Sequence, residues 1–295
     1  MTSRFVTVTG LPRAGSTLLC QLLAEHPEIY CEGHSSPLAN ALLMMRRFIS
    51  DDQFMLSQLD VQFEKSYQHL KDANKGFLRG WYADTKKSVV VDKNRAWLHA
   101  IEYLLELAPE AKMLVCVREL GQIYGSIEAQ HQKTLMLDFI DHLADFDRFG
   151  RADQLFAKDK SIGAPLISIS AVNDLPAKVK ERIYFVKYED LLAKPVDVMA
   201  SIYQWLGLEK HLIKTDKLNV RQSESDSHYR YKYRHKQSPS ITGKVQHEIP
   251  MRIQMHIQSA FRWYYEMLYP EFLNSNSAIQ LNAAPVLTVK PKKSD

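Results

Sequence analysis

The stretch that most constrains this chain is its beginning, where a β-rich run, a glycine-bounded turn and a helical repeat follow without a gap. Phe5-Val6-Thr7-Val8-Thr9 stops at Gly10, and Leu18, Leu19, Leu22 and Leu23 then recur at helical spacing until His26-Pro27 ends the pattern. The turn between them, Gly10-Leu11-Pro12-Arg13-Ala14-Gly15-Ser16-Thr17, has the frame of a phosphate-binding loop, G-x-x-x-x-G-K-S/T. In such a loop successive backbone N–H groups line a concavity at a helix N-terminus, where partial positive charge favours an anion. One residue departs from the nucleoside-triphosphate pattern: Ser16 stands where the lysine belongs, and Arg13 supplies the positive charge instead. A kinase needs that lysine on the β- and γ-phosphates with Mg²⁺ nearby. The turn therefore reads as a cradle for a phosphate-like group of lower charge, handled without a metal. The plain alternative is a strand–helix turn whose glycines serve packing alone.

Further along, strands and helices alternate. Ser88 to Val91 reads as the next strand, ending at Asp92-Lys93-Asn94, and Trp97 to Leu107 as a helix closed by Pro109. Met113 to Val117 is a continuous apolar strand ending at Arg118, followed by a helix from about Gly121 to Gln132. Ile183 to Val186 is a fourth strand, Val196 to Leu206 the helix after it, and Met251 to Leu268 a final amphipathic helix. This order predicts an α/β three-layer sandwich of the P-loop type, a short parallel sheet with helices on both faces. Residues about 37 to 83 carry helical spacing and no strand signal, an inserted helical layer. Residues about 221 to 247 hold no periodicity and read as a long basic loop, and 274 to 295 as a poorly ordered tail. The expectation is one domain over residues 1 to 273.

Composition narrows the class. The chain has 295 residues, 45% hydrophobic and 24% charged, enough to bury a core, and a formal charge of +4. That mild excess suits an anionic ligand and does not by itself argue for nucleic acid. The sequence shows neither a basic leader with an apolar run nor a stretch of 18 apolar residues, so no membrane partner is expected. Cys20, Cys31 and Cys116 are an odd number without metal spacing; Cys20 and Cys116 sit inside apolar periodic segments as small core residues, and a reduced, cytoplasmic setting is expected.

Pro12-Arg13-Ala14-Gly15-Ser16-Thr17-Leu18 after a first strand resembles the loop by which sulfotransferases hold the 5′-phosphosulfate of 3′-phosphoadenosine 5′-phosphosulfate (PAPS). The wording is most similar to the tyrosylprotein-sulfotransferase branch and its bacterial relatives, where the helix is likewise followed by a pair like His26-Pro27. The resemblance implies that Arg118, and Ser126 eight residues on, grip the 3′-phosphate of the nucleotide. That is sound chemistry, since a guanidinium binds phosphate bidentately and a hydroxyl adds a donor. Arg118-Glu119-Leu120-Gly121 departs from the family's usual Arg-Asp, leaving both anion-binding residues in place. Tyr188-Glu189-Asp190-Leu191 matches the family's Y-E-D-L run, with Tyr188 near the nucleotide and the acidic pair serving the loop's structure.

Sulfuryl transfer needs positive charge on the bridging and leaving oxygens and a base for the acceptor proton. Arg13 and Lys93 are the candidates for the charge, with a solvated strand-end lysine as the plain reading of Lys93. In the tyrosylprotein branch the base is a glutamate. Counting without gaps puts His34 in its place, with Glu32 two residues earlier, and histidine is the base in many cytosolic members. His228-Tyr229-Arg230-Tyr231-Lys232-Tyr233-Arg234-His235-Lys236 admits three readings: a solvated charge run, a single-strand nucleic-acid surface, or a lid over the nucleotide. For the lid, the family's segment lends only a loose resemblance to Ser240 and Lys244.

The implied activity is transfer of a sulfuryl group from PAPS, without a metal, to a hydroxyl or amine of a small molecule or a peptide tyrosine, releasing adenosine 3′,5′-bisphosphate. The rivals are a P-loop nucleotide kinase, which Thr17 and Asp92 keep open, and a non-catalytic nucleotide or nucleic-acid binder. Neither the acceptor nor the oligomeric state is legible, a homodimer being one option.

Overall fold

The structure is a computed structural model that describes residues 4–133, 143–220, 238–241 and 246–273. The basic run 228–236, Lys244 and the segment 274–295 lie outside the described residues.

Five strands form one all-parallel sheet: β1 (Arg4–Gly10), β2 (Ile29–Ser35), β3 (Val89–Lys93), β4 (Lys112–Val117) and β5 (Ile183–Lys187), in the order β2-β3-β1-β4-β5. β1, β3 and β4 are buried almost end to end, the pattern of parallel strands covered on both faces. Helices α1 (Ser16–Leu23), α2 (Leu38–Ser50), α3 (Gln53–Trp81), α4 (Ile101–Leu107), α5 (Leu120–Lys133) and α6 (Arg148–Phe156) follow in chain order. After them come α7 (Gly163–Ala171), α8 (Ala177–Lys180), α9 (Tyr188–Ala193) and α10 (Pro195–Leu206). α2 and α3 are the expected insertion, with α3 broken at Gln62. Among the described residues no helix is long and apolar enough to cross a membrane.

Three sequence expectations need correction. Ile29–Ser35 is a strand that periodicity did not reveal, because only its alternate residues Ile29, Cys31 and Gly33 are buried at the sheet edge. The strand expected over Ser88 to Val91 is therefore the third, not the second, and runs Val89–Lys93. The helix expected over 97–107 divides into a 3₁₀ turn, Arg95–His99, and α4. The turn starts at Asn94, whose side chain caps Ala96 N–H at 2.8 Å. Trp97 fixes its path: the ring is fully buried, edge-on to Phe5 at 5.8 Å, and its indole N–H donates to Asp92 at 2.6 Å.

Residues 1–248 form one compact unit and 249–295 a second. The described part of the second holds α11 (Met251–Ala260) and α12 (Arg262–Leu268), so the single helix expected there is interrupted at Phe261. Tyr264 stacks on Tyr269 within it, ring centroids 5.7 Å apart.

The sheet order decides where a ligand goes. From β1 the chain first builds β2 and β3 on one side and then β4 and β5 on the other. β1 thus borders the switch point, and a crevice opens beyond the carboxyl ends of the strands there.

Candidate active site

β1 runs into a turn whose backbone is left-handed at Gly10 (φ 119°), Arg13 (φ 56°) and Gly15 (φ 82°). A Cβ on Gly10 would overlap the Cys116 carbonyl of β4, and one on Gly15 would run into the Tyr188 ring. Both positions therefore exclude side chains on two counts, space and backbone angle. Gly15 caps α1 without a side-chain hydrogen bond, leaving the first N–H groups of the helix facing the crevice. Arg13 is the one non-glycine with positive φ among the described residues, a conformation that costs about 1–3 kcal/mol. Two contacts hold it: its carbonyl accepts from Arg118 Nη1 at 3.0 Å, and its Nε donates to Ser126 Oγ at 3.0 Å.

These contacts join the loop to β4 and α5 around a cleft of about 360 Å³. Arg13, Arg118, Ser126, Tyr188, Lys133 and His247 are among the residues that line it. The Arg118 guanidinium lies 4.5 Å over the Tyr188 ring, which itself covers Gly15. Burial pulls the Arg118 pKa below the ordinary arginine value, against the attraction of Tyr188 and Glu189, and nearby Arg13 pulls the same way. His247 is likewise held below the usual histidine value, first by burial and then by Arg118, Arg13 and Lys133. A cleft where cations depress one another's pKa is one where an anion is welcome. The nearby acids face other work. Glu119 caps α5, accepting from Gly121 and Gln122 N–H at 3.0 and 2.7 Å, and Glu189 accepts the Glu119 N–H at 3.1 Å.

On the other side of the loop lies a larger cavity of about 620 Å³, lined by β1, the Ser35–Pro37 segment, the 3₁₀ turn and α7. The two cavities share Ser16, Thr17 and Arg95 as walls. Lys93, 8% exposed at the end of β3, sends its ammonium to the Gly33 carbonyl at 2.9 Å and to Thr17 Oγ1 at 3.3 Å. A fixed cation thus stands beside the loop hydroxyl that a triphosphate enzyme would give to Mg²⁺. Asp92, the other half of the kinase reading, is fully buried and accepts from Tyr82 Oη at 2.5 Å and Trp97 Nε1 at 2.6 Å. Burial raises its pKa, with these donors opposing the rise. Its carboxylate is committed to the core.

Most of the residues expected from sequence come together here. Arg13, Gly15, Ser16, Thr17, Arg118, Ser126, Tyr188 and Ser240 line the first cleft, and Lys93 the second. Pro12 and Ala14 are buried and shape the turn from behind. Ser240 is held by its neighbours: Ile241 N–H donates to the Thr215 carbonyl at 3.0 Å, and Gln21 Nε2 to the Ser238 carbonyl at 3.3 Å. Glu32 and His34 sit on β2 and are not among the residues lining either cavity; Glu32 is exposed and accepts from Tyr30 Oη at 2.5 Å. Sequence reasoning missed Gln21, Arg95, Lys133 and His247 in the first cleft, and Arg95 and His99 in the second. A basic residue two positions after Lys93 was the available signal for Arg95; the others are gathered only by the fold.

Residues 6–211 match the family model described as the Sulfotransferase family. The chain belongs to the sulfotransferase family. Three solved structures are similar to this sulfotransferase. The sulfotransferase domain from the Synechococcus PCC 7002 olefin synthase is 19% identical, covering 71% of this chain and 75% of that one, with a TM-score of 0.44. The sulfotransferase domain from the curacin biosynthetic pathway is 16% identical over 89% and 98%, with a TM-score of 0.49. A sulfotransferase from Alicyclobacillus acidocaldarius is 12% identical over 89% and 92%, also at 0.49. No curated protein matches the sequence. As a family member the chain is a transferase of sulfuryl groups, with a sulfate donor and an acceptor as its substrates.

Proposed function

We propose that this sulfotransferase takes its sulfuryl group from PAPS and passes it to a hydroxyl or amine acceptor, releasing adenosine 3′,5′-bisphosphate. The observation that carries the reading is the meeting of two cavities at one phosphate loop, one rich in cations and the other of mixed apolar and polar lining. The donor belongs in the cationic cleft. Arg118 and Ser126 receive the 3′-phosphate, and the loop from Pro12 to Thr17 receives the 5′-phosphosulfate. Tyr188 flanks the nucleotide, and Ser240 stands beside it in the wall of the same cleft. The acceptor belongs in the larger cavity, reaching sulfur across Ser16 and Thr17.

The catalytic demand is electrostatic. As the bond between sulfur and the bridging oxygen breaks, negative charge grows on the nucleotide phosphate. Donors already aimed at that place lower the barrier without reorganising. Lys93, fixed between Gly33 and Thr17, and the open N–H groups at the start of α1 are so placed. Arg13 adds charge from within the loop. The test is release of adenosine 3′,5′-bisphosphate from PAPS, followed chromatographically with Mg²⁺ removed by chelation. Wild type should turn over, and Arg13→Ala or Lys93→Ala should slow it about tenfold to a thousandfold. Full activity in both variants would mean that the loop is not where the chemistry occurs.

A further inference from the structure

We propose that His99 is the general base that takes the proton from the acceptor. This rests on the reading of the larger cavity as the acceptor site. An acceptor hydroxyl attacking sulfur must lose its proton to a group within reach, and geometry comes before pKa in choosing that group. Among the described residues lining the cavity there is no aspartate or glutamate. The charged ones, Lys93 and Arg95, have no lone pair to offer, and the serines, threonines and asparagines are too weakly basic. His99 is the side chain in that wall with an available basic nitrogen near neutral pH.

The fold explains how it gets there. In a 3₁₀ turn side chains three apart eclipse, so Ala96 and His99 share a face, and both line the cavity. Trp97, between them, points the other way into the core and locks the turn. Although more than a third of the residue is exposed, the cavity walls desolvate its ring and hold its pKa below the ordinary histidine value of 6.5. Among the described residues no hydrogen bond engages that ring, so a neutral nitrogen is at hand at pH 7.

The turn packs on β1, α2, α4 and α7, whose charged side chains are engaged elsewhere or absent from the cavity. Arg4 donates to the Leu206 carbonyl, Arg46 lies over Tyr103, Arg47 pairs with Asp51, and Glu106 accepts from Tyr67. Glu102 starts α4, and α7 has no charged residue. Lys93 and Arg95 remain as the charges that share the cavity with His99. The acceptor oxygen bonds to sulfur, and the bond from sulfur to the bridging oxygen breaks, its electron pair leaving with the nucleotide phosphate. The acceptor proton moves to the imidazole, which returns it to solvent through its exposed edge.

The experiment compares wild type and His99→Gln in release of adenosine 3′,5′-bisphosphate from PAPS across the pH range on both sides of neutrality. Three acceptors are used: phenol, water alone, and pentafluorophenol, which is ionised at neutral pH and brings no proton there. At neutral pH the variant should be about a hundredfold slower with phenol and water but within about threefold of wild type with pentafluorophenol. With phenol the wild-type rate should fall on the acid side as a histidine of lowered pKa protonates, and the variant should lack that limb. Equal losses with all three acceptors would reduce His99 to a structural role and overturn the proposal. So would retention of the acid limb in His99→Gln together with its loss in His34→Gln or Glu32→Gln. No release by wild type with any acceptor would overturn the PAPS reading, and the role of His99 with it.

Discussion

Arg118 and Arg151 are buried alike, 6% and 8% exposed, but their surroundings treat their charge in opposite ways. Arg151, on α6, grips Glu128 of α5 with two hydrogen bonds, Nε to Oε2 at 2.8 Å and Nη2 to Oε1 at 2.6 Å. Its pKa is raised by that partner, and although burial alone would raise Glu128, the bonds from Arg151 and Gln132 bring it below the usual carboxylate range. Arg118 is lowered instead, by burial first, with Tyr188 and Glu189 compensating only in part and Arg13 adding repulsion. One arginine is a closed pair that holds α5 to α6. The other carries an electrostatic cost that a phosphate in the cleft would offset.

The largest effect should come from opening the closed pair. Glu128→Ala leaves Arg151 buried without its carboxylate and should cost about 3–5 kcal/mol in a denaturant titration. A loss under about 1 kcal/mol would mean that the pair is solvated and the contrast false. Next comes Arg118→Ala, for which the expected loss is in ligand binding rather than stability. Affinity for adenosine 3′,5′-bisphosphate should weaken by about 1.5–3 kcal/mol while affinity for 5′-AMP barely changes, measured by calorimetry. Equal losses for both nucleotides would detach Arg118 from the 3′-phosphate.

Arg13 separates charge from backbone strain. Arg13→Gly keeps the left-handed turn at ease, whereas Arg13→Ala does not, so the glycine variant should be more stable by about 1 kcal/mol. Both should lose turnover alike. A more stable alanine variant would show that the turn relaxes once the side chain is gone. The smallest effect concerns His247. Its depressed pKa means that the unfolded chain binds more protons as pH falls through the histidine range, so stability declines with falling pH. Wild type should therefore lose melting temperature more steeply than His247→Gln between about pH 7 and about pH 5.5. Parallel curves would remove His247 from the cationic group.

The same contrast explains what the sequence made legible. β1, β3 and β4 are buried on both faces and appear as short runs of β-branched and apolar residues, so the sheet and the loop at its switch point could be read directly. Arg13, Arg118, Ser126 and Tyr188 could be placed because each sits at a strand end or on the helix after it, at spacings the resemblance supplied. β2 was hidden because its outward residues Tyr30, Glu32 and His34 and the glycine between them give an edge strand the look of a loop. Arg95 and His99 were hidden for a different reason. Arg95 falls just before, and His99 near the start of, a segment whose spacing reads as one continuous helix, and only the 3₁₀ geometry turns them into a cavity wall. Nor does any local pattern pair Glu128 with Arg151, since that contact depends on the return of the chain through α6.

The central claim is that the open, cationic cleft is built for a nucleotide carrying a 3′-phosphate and needs no divalent metal to hold it. Calorimetric titration of the wild-type protein with adenosine 3′,5′-bisphosphate, 5′-AMP and ATP, each with and without Mg²⁺, tests it most directly. The account predicts that the bisphosphate binds about tenfold to a hundredfold more tightly than 5′-AMP, unchanged by Mg²⁺. Equal binding of the two monoadenosine ligands, or tight binding of ATP that appears only with Mg²⁺, would contradict it.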